Sequence, residues 1–485
     1  MTSEVLRRRL DDVIAEMRGV FRVPSIMAAV TIGGETFYCG GGSADIEAGK
    51  AADENTVYAI ASASKAFIAA AVCILADDGC ISLDEPVKKY LPDFAMYDGY
   101  MTDHMTMRDA MSHRTGLPRH DLTWYSRPDL TIMDTVRILR YMPPAFEPRT
   151  RMHYQNHMFT LATVLVESVS GMKWYDFVSE RILRPLGMNR TFCLPEQFLG
   201  KDDNTAIPYK LKEDKICKVP FLDISSSVGC AGCICSTVHD LAIWARLNAG
   251  RGSLNGVRIY SEARAADLHT PQMIIKPGEM TPMHFDEVTH TAYGLGWFIE
   301  SYRGHTLVHH GGTIDGYKSL VGFLPGKDVS FAVLTNLNGN QTPAAIGYAI
   351  CDLALDLEPL NWCSKMHDEV ERLARLSADR RSALMERTKG AIPFAHSLSD
   401  YCGKYENPAY GTARLFEKDG SLHMTLGRME SAVIPAGYES FVVELGSSDA
   451  VPCMFRASFE GEIIGFGAKL EEKLSDYIEF TRVNQ

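Results

Sequence analysis

Three short strings along the chain hold residue types that can activate a nucleophile: Ser62-Ala63-Ser64-Lys65, Tyr154-Gln155-Asn156 and His310-Gly311-Gly312. A serine hydroxyl attacks a carbonyl only when something takes its proton, and a neutral lysine amine or a tyrosinate held near cations can do that. The first string opens an unbroken apolar run, Ala66 to Ala76, which is too short to span a bilayer and predicts a buried helix. Ser62 then falls in the first turn of that helix. Residues three apart share a helical face, so the Lys65 amine is expected beside the Ser62 hydroxyl. Burial in a core segment lowers a lysine pKa and frees the amine to act as the base. The chemistry implied is nucleophilic catalysis by serine, with no call for a metal or a cofactor.

A chain of 485 residues exceeds what one hydrophobic core usually serves, which predicts a large catalytic domain and a smaller module. A formal net charge of −12 argues against a nucleic-acid partner, because a phosphate-binding groove needs concentrated Lys and Arg. It says nothing against a small neutral substrate. The N-terminal stretch MTSEVLRRRLDDVIAEMRGV is charged throughout, and its Leu6, Leu10, Val13 and Met17 fall on one helical stripe. A secretory signal needs a continuous apolar stretch instead. A cytoplasmic protein with no membrane partner is therefore expected, its first helix packed on the fold. Twelve cysteines without regular spacing read as reduced thiols rather than a disulfide framework. Cys230-Ala231-Gly232-Cys233-Ile234-Cys235 could offer thiolates to a metal, but no second C-x-x-C completes such a site. Small core-filling thiols in a glycine turn, a short strand and an Asp-initiated helix are the better reading.

Residues 26 to 41 predict two strands joined at Gly33-Gly34, a hairpin that starts a sheet. From about Leu83 to Phe192 the apolar spacing is helical and broken by prolines, which predicts a helical insert after the nucleophile. Strand signals return in YGLGWFI, HTLVHHGG, YKSLVGFLP and VSFAVLTN, consistent with antiparallel pairing. Residues 341 to 356 then predict a helix with Thr342 as N-cap and Pro343 at its first position. A polar stretch from about Ser364 to Lys389 predicts a connecting helix, and after Pro393 short strands punctuated by Gly, Asn and Asp predict a small antiparallel barrel or sandwich.

With these parts in order, the chain resembles the serine β-lactamase and penicillin-binding-protein superfamily, whose signature is S-x-x-K. Within it, the class C-like branch of D-aminopeptidases, D-amino-acid amidases and esterases is the most similar. The resemblance covers about residues 10 to 356 and extends to MTMRDAMSHRTGLPR, FEPRTRMHYQN, SGMKWYDFVSERILRPLGMNRT, AGCICSTVHDLAIWARL and AYGLGWF. It implies that Ser62 is the acyl-forming nucleophile and Lys65 its proton acceptor. Tyr154 takes the place of the family's catalytic tyrosine, a phenolate favoured by Lys65 that relays the proton to the leaving group. Asn156 is expected to hold Lys65 and the substrate's amide carbonyl. The backbone N–H groups of Ser62 and Thr313 are the expected oxyanion hole.

The third string departs from the Lys-Thr-Gly of true β-lactamases and fits the H-x-G of the peptidase and esterase branch. His309-His310-Gly311 also reads as H-x-G, but the downstream Gly316-Tyr317 favours His310-Gly311-Gly312. Histidine is largely neutral near pH 7, whereas a lysine there would grip a β-lactam's carboxylate. The segment LSDYCGKYENPAYGTARL resembles a lipocalin-like C-terminal module, which could restrict substrate entry or carry contacts of a homo-oligomer. The fold implied is α/β: an antiparallel sheet flanked by helices with a helical insert over residues 1–360, a connecting helix or linker over 361–395 and a small all-β barrel over 396–485. The function implied is hydrolysis of a small amide or peptide, with a D-residue in view. A carboxylesterase or weak β-lactamase using the same site, and a slowly deacylating penicillin-binding sensor, are the alternatives.

Overall fold

A computed structural model describes residues 3–280, 283–445 and 450–483. Its centre is a nine-stranded antiparallel sheet in which the N-terminal hairpin, Ser25–Ile32 and Glu35–Asp45, joins the meander running from Met273–Ile275 to Val329–Thr335. The junction pairs Ser25–Ile32 with Val329–Thr335 antiparallel, Ala29 opposite Ala332. Every residue of Val329–Thr335 is buried, so this strand needs covering on both faces.

Alternation along Ser25–Ile32 sorts the core into two layers. Met27 and Ala29 lie on the face covered by the helix Val238–Ala249, while Ile26, Ala28 and Val30 pack with the helices Ser3–Val20 and Thr342–Ala354. The first helix buries Leu6, Leu10, Ile14 and Met17. Val13, expected in that stripe, is half-buried at its edge, because a 3.6-residue period turns Ile14 further inward than Val13. Thr342 is also displaced from its expected role. It is the first residue of its helix, and the Asn340 side chain caps the turn by accepting from Thr342 N at 3.1 Å. The helix Val238–Ala249 is likewise capped by Thr237, whose hydroxyl accepts from Asp240 N, rather than by Asp240. The cysteines at 230, 233 and 235 are unpaired and buried around the turn that precedes it. Among the described residues no cluster of His, Cys, Asp or Glu could hold a metal ion. None of the described helices is long and apolar enough to cross a membrane.

The insert after the helix Lys65–Asp77 is a set of short helices, as its prolines imply, leading into the long buried helix Asn156–Ser170. The polar helix Trp362–Glu386 then carries the chain to a second nine-stranded sheet, from Gly403–Asn407 to Ile478–Val483. The first strand of this sheet pairs with the last, Tyr405 opposite Arg482. At the remaining seam Glu444 N donates to Ser431 Oγ at 2.8 Å, so the sheet is a nearly closed barrel. Its interior is aromatic, with Phe466 and Phe480 stacked 4.8 Å apart.

The barrel docks on the segment that follows the insert's first helices. Gly427 sits so close that a Cβ there would lie 1.9 Å from Ser126 O, and the Arg428 guanidinium lies over the Tyr125 ring at 4.4 Å. Tyr410 OH is 2.7 Å from His120 Nδ1, and Glu471 Oε1 accepts from His120 N at 2.7 Å. Burial, and then the Asp121 charge, push the Glu471 carboxyl up to about 8 from 4.5. A raised acid contributes its stability below the ordinary glutamate value, and that contribution is lost as pH rises through about 8. The Tm of the wild type is therefore expected to fall relative to Glu471→Gln between pH 5 and 9, read by thermal melts across that range. A constant difference would show that this carboxyl does not titrate in the interface.

Candidate active site

Ser62 lies in a single 3-10 turn, Ala61–Ser64, that runs directly into the helix Lys65–Asp77. Ser62 thus precedes the α-helix that was expected to contain it, and Lys65 opens that helix. Ala61 is held at φ 48°, a left-handed conformation that costs a residue with a Cβ and needs support from its surroundings. That support is a ring of hydrogen bonds. Ile60 N donates to Ile234 O at 3.0 Å, Ser319 Oγ donates to Ile60 O at 2.6 Å, and Ile234 N donates to Ser64 Oγ at 3.1 Å.

The strand His305–Ile314 supplies the other wall. Its pairing with Phe298–Tyr302 ends at Phe298 opposite His309, so beyond His309 that edge meets the Ser62 turn instead of a strand. A Cβ on Gly312 would lie 2.0 Å from Ile60 O and 2.8 Å from Ser62 N. Only glycine allows this approach, which brings the backbone at Gly312 and Thr313 beside the Ser62 amide.

Lys65 is fully buried. Its Nζ lies 3.0 Å from Ser62 Oγ, 2.7 Å from Asn156 Oδ1 and 2.7 Å from Ala231 O. Burial, helped by the Arg119 charge, holds its pKa well below the ordinary lysine range, with Asp121 and Cys230 pulling the other way. A neutral amine has two N–H bonds and one lone pair. The amide and carbonyl oxygens can only accept, so they take both N–H bonds and leave the lone pair for the Ser62 hydroxyl.

Lys65 Nζ approaches the Tyr154 ring at 4.8 Å from the centroid. Burial pushes the phenol above its ordinary value, although the Ser62 side chain and the Arg119 charge oppose this. Tyr154 therefore rests as a neutral phenol, not the phenolate expected from the sequence. The reason is the phenol's own burial, which outweighs the opposing Arg119 charge. Asn156 meets Lys65 as expected, and its Nδ2 donates to Asp121 Oδ1 at 2.9 Å.

His310 is the inward member of the histidine pair. Burial, and then the proximity of Lys65, lower its pKa well below the ordinary value. Nδ1 donates to Gly311 O at 2.7 Å and Nε2 accepts from Tyr293 OH at 2.8 Å, so both nitrogens of the neutral ring are spent on the protein. His309 alternates to the far side, stacked on Phe298 and 3.4 Å from Glu300.

The fold agrees with comparisons to known proteins. A family model described as beta-lactamase matches residues 10–354, and one described as a domain of unknown function, DUF3471, matches 387–482. The chain belongs to the β-lactamase family. Its relatives include the unguisins hydrolase ungD' of Aspergillus campestris, 29% identical over 98% of this chain and 90% of that protein. The octameric penicillin-binding protein homologue from Pyrococcus abyssi shares the fold at a TM-score of 0.65 and 21% identity, covering 98% of this chain and 99% of its own. The D-amino acid amidase from Ochrobactrum anthropi does so at 0.58 and 22%, covering 71% of this chain and 99% of its own.

Beyond the residues expected, this β-lactamase-family site includes the Ala231 carbonyl, Asp121, Arg119 and His113. His113 lies inside a family string, yet nothing in its spacing marks it. It accepts from Gln155 N at 3.2 Å and packs its ring 4.4 Å from that of Tyr154. Gly312→Ala is expected to push the strand away from the Ser62 turn and slow acylation about 100-fold, the scale of losing one oxyanion donor. Pre-steady-state reaction with a p-nitrophenyl ester reads this. A rate close to wild type would show that the two backbones can separate without cost.

Proposed function

We propose that the protein is a serine hydrolase that cleaves a small amide or peptide through an acyl-enzyme on Ser62. The observation that carries this reading is the seat of the buried Lys65 amine, 3.0 Å from Ser62 Oγ and held by two obligate acceptors, Asn156 Oδ1 and Ala231 O, each at 2.7 Å. Ser62 Oγ bonds to the substrate carbonyl carbon as its proton passes to Lys65 Nζ. The negative charge on the carbonyl oxygen is met by the Ser62 and Thr313 amides. As the carbon–nitrogen bond breaks, Tyr154 gives its hydroxyl proton to the leaving amine and recovers one from Lys65. Water then attacks the acyl ester by the reverse relay, its proton returning to Ser62 as the acid leaves.

Residues 1–360 carry this chemistry, 361–395 connect, and 396–485 form the appended module. The D-amino acid amidase fold and the relative named a hydrolase support amide chemistry. The neutral, fully bonded His310 leaves no cation on that strand for a β-lactam carboxylate, which supports ranking amides above lactams. All twelve cysteines are unpaired, which supports a reducing, cytoplasmic setting.

Ser62→Ala is expected to abolish the acyl adduct seen by intact mass with an unchanged Tm. Tyr154→Phe is expected to lower kcat about 100-fold or more with little change in KM. A panel of p-nitrophenyl esters, D- and L-aminoacyl anilides and nitrocefin sets the order of substrates. Retained activity in Ser62→Ala would overturn the reading, and nitrocefin turnover matching the best amide would overturn the ranking.

A further inference from the structure

Arg119 is a half-exposed side chain at a site that otherwise discharges its ionisable groups. Burial lowers the pKa values of Lys65, His113 and His310, so a positive charge is disfavoured on each of them. The guanidinium carbon of Arg119 lies 5.1 Å from the Tyr154 ring centroid, the same ring that Lys65 Nζ approaches. Exposure of 48% means that packing alone does not seat it there.

Directed bonds do. Arg119 Nε and Nη2 lie 2.7 and 2.5 Å from Asp121 Oδ2. Asp121 Oδ1 accepts from Asn156 Nδ2 and from Trp124 Nε1, both at 2.9 Å. Asp121 thus ties the guanidinium to the same asparagine that holds Lys65. Between Arg119 and Asp121, His120 is fixed by the barrel through Glu471 and Tyr410.

We propose that Arg119 is a positioning residue of the hydrolytic site: its fixed charge, seated over the Tyr154 ring by Asp121 and the barrel, sets the balance at which Ser62 loses its proton. The proposal rests on the hydrolase reading above. A cation near Lys65 disfavours the ammonium and keeps the free base available. Once Ser62 has passed its proton to Lys65, two like charges face each other, and moving that proton through Tyr154 to the leaving group relieves them. Asp121, held ionised by Arg119 and its other hydrogen bonds, opposes this in part. Glu471 adds negative charge only above about 8. Burial pushes the Cys230 thiol well up, so it stays neutral.

The test uses the full-length protein with two uncharged probes, a fluorophosphonate and p-nitrophenyl acetate, and follows the rate of reaction at Ser62 from pH 5 to 9. In Arg119→Gln the acid limb is expected to move upward by about one pH unit, and in Arg119→Lys to stay near wild type. Arg119→Met, which keeps a hydrophobic stem against the ring, gives a second neutral variant if the glutamine folds poorly. A wild type that fails to react at Ser62 would sink the hydrolase reading itself. Reaction at Ser62 with the limb unmoved in both neutral variants would sink this inference alone. So would a loss confined to KM for carboxylate-bearing peptides, which would make Arg119 a substrate contact instead.

Discussion

An amine taken out of water must either keep its proton and find compensating charge or give the proton up, and the first course costs several kcal/mol even when paired. Lys65 has no carboxylate within bonding distance. Its three neighbours are a hydroxyl, an amide oxygen and a backbone carbonyl. The fold therefore disfavours the charged form of this lysine, and much else in the domain follows from that. Helix Lys65–Asp77 carries alanines at 66, 69, 70 and 71, all buried, which lets neighbouring elements close around it. The turn Gly229–Ala231 turns its last carbonyl toward the amine, and Asn156, at the start of its own helix, supplies the second acceptor.

The same constraint explains why the site gathers residues from distant parts of the chain. A base with both N–H bonds committed has one free direction, and the nucleophile has to be there. The Ser62 turn is accordingly strained at Ala61, and hydrogen bonds to residues near 234 and 319 hold it. Gly312 then lets a sheet edge with no partner strand beyond His309 approach that turn. Tyr154 completes the arrangement as a neutral phenol, able to give a proton and receive one without moving a net charge through the core.

How much of this is legible in the sequence depends on whether the signal is local. Ser62 and Lys65 are three residues apart beside an apolar run, so helical spacing reveals them. The sheet, the proline-broken insert and the short strands of the barrel are legible for the same reason, since period and turn residues lie within a few positions of one another. Family strings supply Tyr154, Asn156 and His310, which spacing alone does not. What escapes is contact between remote segments. The Ala231 carbonyl has no side-chain signature, and its role follows only from where the Gly229–Ala231 turn lands. Asp121 and Arg119 sit in a loop whose charges look like any solvated turn until Asn156 and Tyr154 are brought against them. The raised pKa of Tyr154 follows from its own burial, a tertiary property that no local pattern carries.

The barrel extends this dependence across the whole molecule. Glu471 and Tyr410 bond to His120, whose neighbour Asp121 bonds to Asn156, which holds Lys65 against Ser62. Each link is a hydrogen bond between groups that are buried or half-buried, so each is short of water to replace it if the barrel shifts. A loop carrying a half-buried aspartate and a half-exposed arginine would be free to move if it projected from the insert alone. With the barrel seated on it, His120 is pinned on both its backbone and its ring. The appended module thus holds the loop that lies behind Ser62, Lys65 and Asn156. That view also accounts for Gly427, whose lack of a side chain lets the barrel's turn rest directly on the Ser126 carbonyl.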